Sequence, residues 1–92
     1  MTHSIDIRML HELLSGGGGI TLLDVRRRAD HESNPQRISG AAWLDPEKIE
    51  TWIKHLPAGN PTVVYCARGG SVSQSVADRL RREGIDTVFL EG

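Results

Sequence analysis

Short apolar runs alternate with helical patterns along this chain, and that alternation leaves few folds open. Ile20 to Val25 and Thr62 to Tyr65 read as strands buried on both faces, because their apolar character runs on rather than alternating. Thr87 to Leu90 predicts a last strand, Ala41 to Leu44 a short one, and Ile5 a short first one. Asp6 can cap a helix whose Met9, Leu10, Leu13 and Leu14 keep helical spacing. Asp45-Pro46 predicts a second helix start, after which Ile49, Trp52, Ile53 and Leu56 form one apolar stripe. Val72, Val76, Ala77 and Leu80 line a third helix that Gly84 ends. The polar stretch Ala29 to Ser39, with Pro35, reads as a loop. So does Gly16 to Gly19, since no Gly-Lys-Ser/Thr follows to make it a phosphate loop. Strands alternating with helices predict an α/β fold, a mostly parallel sheet with helices on both faces.

The 92 residues are expected to form a single domain spanning 1–92. Eleven basic residues against twelve acidic ones argue against a nucleic-acid partner. The lone cysteine excludes an internal disulfide or a Cys-x-x-Cys pair. The four histidines show no ligand spacing, so no metal is expected; no other cofactor is expected either. No run reaches membrane-spanning length, and Met1 to Asp6 does not read as a signal peptide. A cytoplasmic setting is expected, one that suits a free reactive thiol.

That thiol, Cys66, falls where the Thr62 to Tyr65 strand ends and a glycine-rich turn begins: Cys66-Ala67-Arg68-Gly69-Gly70-Ser71-Val72. Open α/β sheets hold their ligands at the carboxyl ends of strands. Two glycines let a loop curl its N–H groups inward as an anion cradle, and the following helix aims its positive end at the same point. Such a field favours a thiolate, which makes Cys66 a candidate nucleophile. A buried small hydrophobe at a strand end is the competing reading. Ser71 can donate a hydrogen bond to a substrate or cap the helix. Arg68 either faces an anionic donor or is a solvated loop residue. Arg26, Arg27 and Arg28 read as a solvated face, with the alternative that Asp24 and Arg26 brace loops at the sheet's carboxyl edge. Arg79, Arg81 and Arg82 gather where they oppose the negative end of a helix dipole.

Three stretches together resemble the rhodanese sulfurtransferase family from about Ile5 to Gly92. Leu22-Leu23-Asp24-Val25-Arg26 is similar to its Leu-x-Asp-Val-Arg strand, Arg37-Ile38-Ser39-Gly40-Ala41 to its Gly-His-Ile-Pro-Gly-Ala turn, and Cys66 to Ser71 to its Cys-x-x-Gly-x-Ser/Thr loop. Arg37 and Gln36 depart from that turn's usual His and Gly. The resemblance implies a small open sheet of five parallel strands and a persulfide on Cys66. Ala67, Arg68, Gly69, Gly70, Ser71 and Val72 would line the substrate site. It further implies a small anionic sulfur donor such as thiosulfate and a thiol or cyanide acceptor. The family pattern usually continues past Leu-Glu-Gly into a final helix over one sheet face. Here either another segment covers that face, or an exposed apolar patch invites self-association.

Two other readings compete with this one. A phosphatase-type Cys-x5-Arg loop needs a bidentate arginine where this chain has Val72. A non-catalytic docking or redox-sensing module of a larger protein would keep the fold without needing the intact cysteine loop.

Overall fold

The computed structural model describes residues 4–16, 19–34, 38, 40–56, 59–66 and 71–91. Strands β1 (Ser4–Ile5), β2 (Thr21–Asp24), β3 (Ala42–Trp43), β4 (Thr62–Tyr65) and β5 (Thr87–Leu90) form a parallel sheet of five strands in the order β1-β5-β4-β2-β3. Helices α1 (Ile7–Ser15), α2 (Arg28–Ser33), α3 (Ile49–Trp52) and α4 (Ser71–Arg82) connect them. β4 is the middle strand, paired with β2 on one side and β5 on the other.

The period-two geometry of strands divides the apolar runs between two faces. Leu23, Val25, Val64 and Phe89 point to one side with Val76, Ala77 and Leu80 of α4, and Cys66 packs there too. Leu22, Val63, Tyr65, Val88 and Leu90 point to the other, with Leu10 of α1. Helices therefore lie on both faces, as the alternation requires.

Local chemistry fixes most boundaries. Asp6 caps α1 by accepting from the Met9 amide at 2.9 Å. Gly84 stops α4 at φ +85°, a left-handed conformation that costs glycine little. There the Ile85 amide donates back to the Leu80 carbonyl at 3.0 Å, closing the helix end. The arginines near that end do more than oppose a dipole. Arg79 pairs with Glu50 of α3 at 2.6 Å. Arg81 pairs with Asp78 and donates to the Thr87 carbonyl at 3.1 Å, tying α4 to β5.

Two expectations need correction. The polar stretch after the arginines contains a helix, α2, rather than a loop throughout. It buries no residue, so it carries no apolar periodicity. What fixes it is His31 stacking on Trp43, ring centroids 4.4 Å apart and 5° from parallel. The Asp45-Pro46 segment opens as a 3-10 turn, Pro46–Lys48, passes through α3 and closes as another, Ile53–His55. Its stripe still packs on the α4 side, and Trp52 Nε1 donates to the Asp45 carbonyl at 2.8 Å. On α1 only Leu10 is buried; Ile7, Met9, Leu13 and Leu14 remain 39–55% exposed. Met9 and Leu13 border an apolar groove of about 370 Å3 with Ile5, Val63 and Val88.

Candidate functional site

The site is built where β2 and β4 end side by side. Asp24 is in register with Tyr65, and the Val25 amide donates to the Tyr65 carbonyl at 2.8 Å. One residue further along β4's path is Cys66, half-buried, its side chain on the α4 face of the sheet. α4 opens at Ser71. The expected strand, thiol and helix thus stand in the expected order. Ala67, Arg68, Gly69 and Gly70, expected to cradle the thiol, lie outside the described residues. Ser71 is exposed at the first position of α4, and Val72, half-buried, packs on the cluster that also holds Cys66.

The three consecutive arginines have three different fates. Arg26 is buried and grips Asp24: Nε lies 3.0 Å from both carboxylate oxygens and Nη2 lies 2.8 Å from Oδ2. Nη1 donates to the Asn34 carbonyl at 2.7 Å. The hydrogen-bonded Asp24 carboxylate raises the Arg26 pKa above the ordinary arginine value, outweighing the cost of burial. The bracing role is therefore the one this pair fills. Arg28 reaches Asp45 at 3.5 Å and sits over the Trp43 ring, 5.9 Å from its centroid. Arg27 is exposed and has no side-chain partner among the described residues.

Two anchors near the site go beyond what the sequence motifs announce. Tyr65 is buried, and its hydroxyl accepts from the Ile38 amide at 3.1 Å. That bond ties Ile38, whose carbonyl accepts from the Ala41 amide, to β4, the strand that Cys66 follows. Trp43 Nε1 donates to the Arg26 carbonyl at 2.8 Å, so β3 props the segment leaving β2. A Tyr at the end of an otherwise aliphatic strand was the available signal for the first. The second had none, because a single Trp does not reveal its acceptor. Among the described residues no helix is long and apolar enough to cross a membrane.

The model of the rhodanese-like domain family matches residues 6–92, and the chain belongs to that family. Its fold is similar to that of a rhodanese-like domain protein from Staphylococcus aureus, with a TM-score of 0.84 and 25% identity over 100% of this chain and 86% of that one. A rhodanese-related protein from Thermoplasma volcanium is similar at a TM-score of 0.81 and 25% identity, covering 97% of this chain and 83% of that one. The fold also matches part of a thiosulfate sulfurtransferase from Pseudomonas aeruginosa, with a TM-score of 0.76 and 24% identity. There the whole of this chain covers 17% of that one.

Proposed function

We propose that this protein is a sulfurtransferase that carries sulfane sulfur as a persulfide on Cys66. The observation that supports the reading best is the position of Cys66 itself. It follows the central strand, and α4 opens a few residues later at Ser71. The Cys66 thiolate attacks the outer sulfur of a donor such as thiosulfate. A bond forms between the two sulfurs, the donor's S–S bond breaks and sulfite leaves with its electron pair. An acceptor, cyanide or a thiol, then attacks the outer sulfur and releases the thiolate. Splitting the transfer into two displacements is ordinary covalent catalysis. N–H groups of the Ala67 to Ser71 stretch would hold anionic sulfur through both steps, as an oxyanion hole holds oxygen. Arg68 would supply charge for the anionic donor. Incubation with thiosulfate followed by intact-mass measurement tests the reading: a gain of one sulfur, absent in Cys66→Ser, is expected. An unchanged mass would overturn it.

A second reading, a non-catalytic docking module, draws support from the exposed Ile7, Met9, Leu13 and Leu14 on α1. The same mass measurement separates the two, since a docking module needs no persulfide.

A further inference from the structure

A cleft of about 220 Å3 opens between the first turns of α4 and the Pro46–Glu47 turn, lined by Arg27, Pro46, Glu47, Ser71, Val72 and Ser75. It lies on the α4 side of the sheet, the side to which the Cys66 side chain turns. Val72 joins the two, since it lines the cleft and packs on the cluster holding Cys66. The cleft carries two opposite charges, Arg27 and Glu47, both exposed. No ion pair joins them, and neither side chain has a partner among the described residues. Each is nonetheless set on a fixed backbone. The Arg27 carbonyl accepts from the His31 amide at 3.0 Å, and the Glu47 amide donates to Asp45 Oδ1 at 3.0 Å. Neighbouring Arg26 and Arg28 are both engaged elsewhere, so Arg27 is the member of the run left to meet a ligand.

A site for a simple anion would not place a carboxylate beside its cation, because like charges repel. A molecule carrying both charges satisfies both walls, and the hydroxyls of Ser71 and Ser75 offer it further hydrogen bonds. We propose that this cleft docks the sulfur acceptor, and that the acceptor is a zwitterionic amino-acid thiol whose carboxylate meets Arg27 and whose ammonium meets Glu47. The proposal rests on the reading of Cys66 as a persulfide carrier. The acceptor's thiolate attacks the outer sulfur of the protonated persulfide. Its new S–S bond forms as the bond to Cys66 breaks, the proton stays on the transferred sulfur, and Cys66 departs as thiolate. No outside oxidant or reductant is needed.

The test follows single-turnover discharge of the loaded protein by cysteine, by cysteamine, which lacks the carboxylate, and by 3-mercaptopropionate, which lacks the ammonium. Each rate is divided by the rate with cyanide. Arg27→Gln should lower the ratio about tenfold for cysteine and 3-mercaptopropionate but leave that for cysteamine within about twofold. Glu47→Gln should lower it for cysteine and cysteamine and not for 3-mercaptopropionate. Ratios for cysteine that stay within about twofold of wild type in both variants would overturn the proposal, as would three thiols that respond alike. If thiosulfate leaves Cys66 unloaded, the function proposed above fails. The persulfide is then formed with inorganic polysulfide, which passes one sulfur to the thiolate and leaves one atom shorter, and the same panel is read.

Discussion

The Val25 amide bonds the Tyr65 carbonyl at 2.8 Å, one rung beyond the paired residues of β2 and β4. Past this rung the two segments part, one reaching Cys66 and the other the arginines. A shared rung means that Cys66 and the Arg26–Arg27 segment leave the sheet at one level. What disturbs one strand end should be felt at the other.

Replacing Cys66 is the first test of the proposed function. Cys66→Ser is expected to lower thiosulfate:cyanide transfer by roughly a thousandfold or more, since a unit nucleophile cannot be shared out among its neighbours. Thiocyanate production measures it, and near-wild-type rates would remove Cys66 from the chemistry.

Arg26→Met leaves the Asp24 carboxylate buried, 0% exposed, without its counter-charge. An uncompensated buried charge of this kind costs about 3–5 kcal/mol. Urea unfolding should show that loss, and Asp24→Leu added to Arg26→Met should recover part of it. A single variant as stable as wild type would mean that the pair is not what holds the end of β2.

Much of this architecture is legible in the sequence, and the reason is physical. Buried parallel strands demand continuous apolar runs, so Ile20 to Val25 and Thr62 to Tyr65 announce themselves. Asp6 and Gly84 are legible because capping and left-handed backbone each favour few residue types. α2 is not, because its support is the ring of Trp43, a partner in another element. The exposure of Met9 and Leu13 is equally invisible, since periodicity reports that a face is apolar and not whether anything covers it. In the candidate site, the place of Cys66 in the fold is legible from the strand that precedes it. The division of labour among Arg26, Arg27 and Arg28 is not, because it depends on which carboxylate each can reach.

Tyr65→Phe keeps the ring in the core and removes the acceptor of the Ile38 amide. The expected loss is about 1 kcal/mol, the usual worth of one such bond. Hydrogen exchange at the Ile38 amide should accelerate at the same time. Unchanged exchange would show that Ile38 is held by other bonds.

The Glu50–Arg79 pair predicts a pH dependence. The Arg79 guanidinium, by hydrogen bond and then by charge, holds the Glu50 carboxyl below the usual carboxylate range. A folded value below the unfolded one means that the pair's stabilisation is present above the ordinary glutamate pKa. It is lost as pH falls through the lowered folded value. Urea midpoints of wild type and Glu50→Gln, followed from neutral pH to about pH 3, should therefore converge in acid. Added salt should narrow the neutral-pH gap, because the pair is open to solvent. A gap that persists unchanged in acid would show that the glutamine acts through something other than the lost charge.

The pairing of β1 with β5 sets Ser4 beside Phe89 and Ile5 beside Leu90. During synthesis β1, made before the other four strands of this sheet, must therefore wait until residues 89 and 90 have been made before its backbone finds its place in the sheet. Contacts this distant along the chain are the slowest to close. The inner strands β2 and β4 can pair well before that, with α4 laid over them. In a nascent chain the end of the sheet that leads to Cys66 can thus take shape while the β1 edge is still open.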